Sequence, residues 1–210
     1  MKIVIFGAAG GTGSQLVEQA ICAGHTVTAI VRNPDAWGIR HQDLEIIRGD
    51  VLHPDTYVNA MKGKDLVISC LGTATRKPTT LYSEGMKNIT AVMQKAGLKR
   101  IICLSAGAVI VPPLGSFMMK FLVRNVLQKL LKHPYADMLI MEKELRNADL
   151  DWTVIRPPWL RDTPRTGQYR MAIGRPLANP SKISRADLAD CILHLLDNKE
   201  TFKCIVELSY

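Results

Sequence analysis

Apolar residues are grouped along this 210-residue chain into short runs separated by longer, partly polar segments. The first run, residues 3–6, is apolar at every position, which is typical of a strand buried on both faces of a parallel sheet. We predict strands for this run and for six later ones, at residues 25–31, 44–48, 65–70, 99–104, 151–155 and 203–208.

The segments between these runs place apolar residues at helical spacing. A helix with Leu16 and Ala20 on its apolar face should end near Gly24. Further helices are predicted at residues 54–61, 81–96, 135–148 and 184–196. The alternation of strands and helices predicts an α/β fold, a doubly wound parallel sheet flanked by helices, in one domain that covers residues 1–210.

Three glycines at steps of three lie between the first strand and the first helix. Gly7 allows a tight turn, Gly10 lets the backbone approach a pyrophosphate, and Gly13 lets the helix pack closely on the sheet. The free N–H groups and the dipole at the start of that helix favour an anion. This context predicts a Rossmann-type dinucleotide site; the alternative is a purely structural turn. The predicted contacts in the turn are Gly7, Ala9, Gly10, Gly11, Thr12 and Gly13.

Arg32 and Asp50 follow the second and third strands, where such a site meets the adenosine. An NAD(H) site would place a carboxylate at the first position, whereas the Arg32 guanidinium can bind a 2′-phosphate, so NADP(H) is the predicted cofactor. The alternative is an exposed arginine at a strand end, and Arg40 is a weaker candidate for the same phosphate. Asp50 can accept from the adenine amino group while Val51 packs on the ring; otherwise Asp50 is a turn residue.

The ends of three further strands complete the predicted site. Gly72 stands where close backbone approach to a cofactor is expected. The loop at about residues 157–180 carries Arg161, Arg165 and Arg170 and should run over the acceptor pocket. Cofactor contacts are predicted for Leu71, Gly72, Thr73, Ser105 and Pro157, and acceptor contacts for Ala106, Trp159, Arg161 and Arg170.

A helical insertion is predicted at about residues 114–133. Residues 117–132 are apolar on a broad face and basic elsewhere. Such a helix is either a membrane-surface element or a core-packing or dimer-forming helix with a solvated cationic side.

The formal net charge of +8 indicates nucleic acid, an anionic membrane surface or anionic small ligands as binding partners. Because the basic residues form no block and no nucleic-acid motif is present, we expect phosphate-bearing ligands and no nucleic acid. The alternative is a solvated basic surface without a specific ligand. No apolar run is long enough for stable membrane insertion. The five cysteines have apolar neighbours and no paired spacing, so buried, reduced thiols in a cytoplasmic protein are expected, and no metal site.

Several short stretches together resemble the flavin reductase/biliverdin-IXβ reductase family of atypical short-chain dehydrogenases. They cover nearly the whole chain, in order: IFGAAGGTG at 5–13, AGHTVTAIVRNP at 23–34, GDV at 49–51, LGT at 71–73, PTTLYSEGMKNI at 78–89, the SA of LSAGA at 104–108, RPP at 156–158, TGQYR at 166–170 and ISRADLA at 183–189. The resemblance implies an NADPH-binding domain that passes hydride to FMN or riboflavin, or to quinones or tetrapyrroles such as biliverdin. It supports Thr12, Arg32, Asp50 and Ser105 as cofactor contacts.

Two departures from the related sequences affect the expected chemistry. Typical short-chain dehydrogenases use Tyr-x-x-x-Lys, but the position four beyond Tyr135 is Leu139. Biliverdin-reducing relatives have histidines where this chain has Trp159 and Glu142. We therefore expect a planar acceptor, with Trp159 stacking on it or merely packing beside the prolines.

The expected enzyme is a flavin-type reductase and either a monomer or a homodimer. Ser105 would position the nicotinamide or donate to the acceptor, and Arg161 or Arg170 would balance an FMN phosphate. The alternatives are an NADP(H)-binding redox sensor without turnover and, less favoured, a sugar-nucleotide epimerase.

Overall fold

In the computed structural model, which describes residues 1–210, eight strands form one sheet in the order β3-β2-β1-β4-β5-β6-β10-β8. All neighbouring strands are parallel except β10 and β8. Two further strands, β7 and β9, pair in parallel beside this sheet. The strands are β1 Lys2–Phe6, β2 Thr26–Val31, β3 Leu44–Arg48, β4 Leu66–Ser69, β5 Arg100–Leu104, β6 Asp151–Arg156, β7 Trp159–Arg161, β8 Arg170–Ile173, β9 Lys182–Ser184 and β10 Cys204–Ser209.

Helices cover both faces of the sheet. They are α1 Gly11–Cys22, α2 Leu81–Ala96, α3 Phe117–Leu122, α4 Gln128–Leu130, α5 Lys132–Asn147 and α6 Arg185–His194, with a π-helical stretch at Val123–Leu127. Helices α1 and α6 pack on one face, and α2 and α5 pack on the other. The predicted doubly wound α/β fold is confirmed.

Strand β1 contributes side chains to the hydrophobic cores on both faces of the sheet. Ile3 and Ile5 belong to the core under α1 and α6, while Val4 and Phe6 belong to the core under α2 and α5. Each of these side chains is buried, which contributes about 1.5–3 kcal/mol apiece. The unbroken apolar run in the sequence is the consequence of this double burial.

The direction in which the chain adds strands reverses between β1 and β4. From β1 the chain adds β2 and β3 on one side, then returns and adds β4, β5 and β6 on the other. The loops after β1 and β4 therefore diverge to opposite faces and leave a crevice at the carboxyl ends of the strands.

Several elements differ from the predicted ones. Residues 54–61 form two short 3-10 turns, Pro54–Thr56 and Val58–Met61, rather than one helix. The predicted helix at 117–132 is divided into α3, the π-helical stretch and α4, and α5 begins at Lys132, because Pro134 is tolerated in a first helical turn. Strands β7, β8 and β9 lie where a loop and its flank were expected.

The thiols are free, but they are not all buried as predicted. Cys70, Cys103 and Cys191 are buried, whereas Cys22 is exposed and Cys204 is half-buried. Cys22 lies in the last turn of α1, off the stripe of Leu16 and Ala20 that faces the sheet. None of the helices is long and apolar enough to cross a lipid bilayer.

Candidate functional site

The crevice at the carboxyl ends of β1, β2, β4, β5 and β6 is a cleft of about 810 Å³. It brings together all the predicted cofactor contacts except Gly13: Gly7, Ala9, Gly10, Gly11, Thr12, Arg32, Asp50, Val51, Leu71, Gly72, Thr73, Ser105 and Pro157. Ala106 lines the cleft as well.

The glycine turn is sterically closed to larger residues. Gly7 has φ +71°, and a Cβ there would lie 2.4 Å from the carbonyl oxygen of Cys70. A Cβ at Gly13 would lie 2.1 Å from the carbonyl oxygen of Gly7. Gly13 is therefore buried beneath the cleft, where it lets α1 approach the turn, as predicted for the third glycine.

The start of α1 is suited to an anion. Gly10 supplies no side-chain cap, and the first turn holds no acidic residue, so its N–H groups remain available to a ligand. A Cβ at Gly10 would meet only the Gly7 carbonyl, at 3.2 Å, which keeps the backbone accessible. These features fit the diphosphate of a dinucleotide.

Arg185 is a cleft residue that the sequence analysis missed. It is the first residue of α6, and its Cδ lies 2.7 Å from the position that a Cβ on Gly11 would take. Its Nη1 pairs with Asp162 Oδ1 at 2.7 Å, which holds the guanidinium beside the start of α1. Only the packing of α6 against α1 brings positions 11 and 185 together, so no local sequence signal marked this arginine.

At the adenosine end, Arg32 is exposed and lines the cleft. The next two arginines along the chain have other partners. Arg40 donates to the carbonyls of Trp37 and Ile39, and Arg48 pairs with Asp35. Arg40 and Arg48 do not line the cleft, so Arg32 is the one of these three arginines that does.

Asp50 lines the cleft and also stabilises its own turn. Its Oδ1 accepts from the Leu52 N–H at 3.0 Å, which is the turn role considered from the sequence. Val51 is buried, and its carbonyl accepts from the Tyr57 hydroxyl and from Asn88 Nδ2. The wall on this side of the cleft is thus fixed by side chains behind it.

The loop after β4 is tied to α2 and α5. The Thr73 N–H donates to the Tyr82 hydroxyl at 3.2 Å. Asp137 of α5 is buried and accepts from the N–H groups of Tyr82 and Ser83 and from the Ser83 hydroxyl, so it caps the N-terminus of α2. This cap was not predicted from the sequence, because Asp137 and Tyr82 are 55 positions apart.

Ser105 belongs to a buried polar network. Its hydroxyl donates to Glu142 Oε1 at 2.7 Å, and the same carboxylate accepts from Arg156 Nε at 2.9 Å and from Arg156 Nη2. All three residues are buried. Because a serine hydroxyl has one proton, Ser105 presents only lone pairs to any further partner and therefore acts there as an acceptor.

Tyr135 lines the cleft without a basic partner on its helix. Burial raises the pKa of the Tyr135 hydroxyl, and Leu139, four positions on, is an exposed apolar residue. The hydroxyl therefore stays protonated near neutral pH and can only act as a neutral donor or acceptor.

The three other predicted acceptor contacts lie outside the cleft lining. In β7 the side chains alternate, so Leu160 faces the cleft while Trp159 and Arg161 point to solvent. Trp159 is 74% exposed. Arg170 on β8 donates instead to the carbonyls of Ala178, Asn179 and Tyr210. The structure supplies an apolar wall in their place: Leu104, Leu131, Met138, Pro158 and Leu160.

Comparisons with known proteins agree with this geometry. The chain matches a family described as NAD(P)H-binding over residues 7–199. It is 28% identical to the uncharacterized protein YwnB of Bacillus subtilis, over 95% of this chain and 94% of that protein. It is 31% identical to the photosystem II assembly factor Ycf39 of Synechocystis, over 50% of this chain but only 33% of that protein, so it spans a third of that relative's length.

A solved structure has the same fold. A short-chain dehydrogenase/reductase of Veillonella parvula, crystallised in complex with NADP, superposes with a TM-score of 0.80 over 100% of this chain and 94% of the other, at 17% identity. Together with the glycine turn and the match over residues 7–199, this means that the chain belongs to the NAD(P)H-binding family of Rossmann-type proteins.

Proposed function

We propose that this protein is an NADPH-dependent oxidoreductase that passes hydride to a planar acceptor, either a flavin such as FMN or riboflavin, or a quinone or biliverdin. The observation that carries the proposal is the composition of the cleft. A glycine turn and Arg32 occupy one end, and Leu131, Met138 and Leu160 form an apolar wall at the other. A flat, largely apolar ring system suits such a wall.

The residues between the two ends position the reactants. The bound dinucleotide supplies the hydride. Ser105 accepts a hydrogen bond through Oγ, since its proton is donated to Glu142, and this suits an amide donor such as that of nicotinamide. The Glu142–Arg156 pair fixes the Ser105 rotamer from behind.

Little acid–base catalysis is required for this reaction. A reduced flavin is stable as an anion, and water can supply its proton. Tyr135, which has no lysine to lower its pKa, is then sufficient as a neutral hydrogen-bonding group. An alcohol or a carbonyl substrate would need the missing pair, which is why a planar acceptor is favoured.

Preference for NADPH over NADH rests on Arg32. Its guanidinium has no carboxylate beside it, and Asp50 lies on the next strand end rather than at the ribose position. A 2′-phosphate gains charge-assisted hydrogen bonds there, whereas NADH leaves the arginine unused.

The test is NADPH oxidation measured with FMN, riboflavin and a soluble quinone as acceptors, each compared with NADH. We expect acceptor-dependent oxidation that saturates in NADPH at a much lower concentration than in NADH. The absence of turnover with every acceptor at saturating NADPH would contradict the proposal.

A second candidate is an NADP(H)-binding redox sensor without turnover, favoured by the lack of a lysine beside Tyr135. It predicts NADPH and NADP⁺ binding with different affinities and no acceptor-dependent oxidation. Calorimetric titration of both forms, combined with the acceptor panel, separates the two functions.

A further inference from the structure

The segment from Leu114 to Leu130 exposes more large apolar side chains than any other part of the molecule. Most of the exposed fractions are near or above one half, and Phe117 reaches 86%. The exposed members are Leu114, Phe117, Met118, Phe121, Leu122, Val126 and Leu130. By contrast, α1, α2 and α6 expose no large apolar residue. We call these seven residues the apolar face.

The apolar face is continuous along the helical segment. Met118, Leu122, Val126 and Leu130 follow one another at steps of four, and residues four apart are neighbours on a helix surface. The segment is nevertheless attached to the fold, because Val123 is buried and Gln128 Nε2 donates to the carbonyls of Ala108 and Val109. The exposure is therefore not that of a detached segment.

Cations accompany the apolar face, and anions are absent from it. The segment and its end carry Lys120, Arg124, Lys129 and Lys132, and no aspartate or glutamate occurs between Glu84 and Asp137. An apolar face containing phenylalanine and leucine, bordered by lysine and arginine, has the composition of a helix that lies in the interface of an anionic bilayer.

The charges also argue against self-association through this face. Two copies placed face to face would bring eight cations together (four from each chain) without one carboxylate from the segment. An anionic lipid surface neutralises the same cations while it takes up the apolar side chains.

We propose that the apolar face and its cations dock the protein on the surface of an anionic lipid bilayer, without spanning it. Leu131, the next residue after the face, lines the cleft, and the carbonyls that hold Gln128 follow Ser105 and Ala106 in the chain. The docking surface therefore adjoins the apolar end of the cleft, the acceptor site of the proposed function.

The test is co-sedimentation of the full chain with sucrose-loaded vesicles of phosphatidylcholine alone or with 30 mol% phosphatidylglycerol. We expect binding to the anionic vesicles at low salt, at least tenfold stronger than to neutral vesicles, and weakening as salt is raised. Phe117→Ser/Phe121→Ser and Arg124→Glu/Lys129→Glu should each reduce the partition coefficient at least tenfold.

Matched controls change the same chemistry elsewhere. Leu52→Ser/Met171→Ser removes two exposed apolar residues, and Lys62→Glu/Lys77→Glu lowers the net charge equally; both should bind like the parent protein. NADPH binding by each variant verifies the fold.

Three results would overturn the proposal. One is equal, salt-insensitive binding to neutral and anionic vesicles. Another is loss of binding in the charge control as large as in Arg124→Glu/Lys129→Glu. The third is no vesicle binding by the parent protein, whether it sediments as a monomer or as a dimer that Phe117→Ser/Phe121→Ser dissociates.

Discussion

The two ends of the cleft, which we propose bind the cofactor and the acceptor, differ in the groups that line them. The cofactor end is mainly backbone, in the glycine turn and at the start of α1, with the side chains of Arg32 and Asp50 at the strand ends. The acceptor end consists of side chains, mostly apolar, from α5 and β7 together with Pro158. A backbone site is specified by which residues cannot be present, whereas a side-chain wall tolerates exchange among apolar residues. We therefore expect the protein to discriminate strictly between cofactors and only weakly between acceptors.

The largest effect is expected at Glu142, which accepts a hydrogen bond from the cleft residue Ser105. In Glu142→Gln the Arg156 guanidinium stays buried without its carboxylate, so the free energy of unfolding should fall by about 3–5 kcal/mol. Chemical denaturation measures this. Glu144→Gln, on the exposed side of the same helix, is the matched control and should change stability by less than about 0.5 kcal/mol. Equal losses in both variants would show that the buried pair has no special role.

At the cofactor end, Gly13→Ala should abolish dinucleotide binding and destabilise the fold by about 3 kcal/mol. Its methyl group would meet the Gly7 carbonyl oxygen at 2.1 Å, and both are backbone positions that cannot rotate away. Gly38→Ala is the control, because a Cβ at Gly38 meets nothing within 4 Å. Fluorescence titration with NADPH and thermal unfolding measure both quantities; unchanged NADPH affinity in Gly13→Ala would remove the turn from the site.

Arg32→Asp should change the preference between NADPH and NADH without unfolding the protein. We expect NADPH affinity to fall about 100-fold and NADH affinity to change by less than about fivefold, since only NADPH carries the 2′-phosphate and charge-assisted hydrogen bonds contribute about 1.5–3 kcal/mol. Arg40→Asp, outside the cleft, makes the same charge change and should leave the NADPH/NADH ratio unaltered. Parallel loss for both cofactors in Arg32→Asp would reject the phosphate role.

At the acceptor end, neighbouring residues of β7 provide a paired test. Leu160→Asp puts a charge into the apolar wall and should raise the KM for a flavin or a quinone about tenfold, while Trp159→Asp on the opposite side should leave it within about twofold. Steady-state kinetics at saturating NADPH measure both. A larger rise in KM for Trp159→Asp than for Leu160→Asp would instead support the acceptor contact that the sequence predicts for Trp159.

The smallest effect is a pH dependence at Asp187, which accepts hydrogen bonds from the loop at Thr166 and Gly167. Burial alone raises the pKa of Asp187, but hydrogen bonds from Tyr210, Gly167 and Thr166 outweigh it and hold the pKa below its usual range. A depressed folded-state pKa contributes stability above the unfolded value, near 4, which is lost as pH falls through the folded value. Asp187→Asn should therefore show a shallower loss of stability in urea unfolding as the pH falls below about 5. An equal loss of stability at acidic pH in Asp187→Asn and in the parent protein would contradict this assignment.

The residues predicted for the cofactor end are brought together in one cleft, and they could be named from the sequence because their determinants are local. Gly7, Gly10 and Gly13 stand within one turn, and Arg32 follows its strand directly, so the pattern of strand, turn and helix was sufficient to place them. Contacts between distant positions, such as Asp137 with Tyr82 and Arg185 with Gly11, were not predicted at either end of the cleft, because no local pattern marks them. Strands of three residues such as β7 are too short to show an alternation, so the sequence did not reveal that Leu160, and not Trp159, faces the cleft.

The cap that Asp137 provides for α2 has a mechanical consequence. One carboxylate on α5 joins that helix to the start of α2, whose Tyr82 holds the loop after β4, while the next residue along, Met138, stands in the acceptor wall. The start of α2, the loop after β4 and the helix that carries Met138 are thereby joined through one carboxylate. We therefore expect ring systems of different size to be accommodated by rotamer changes of Leu131, Met138 and Leu160 and not by movement of a helix.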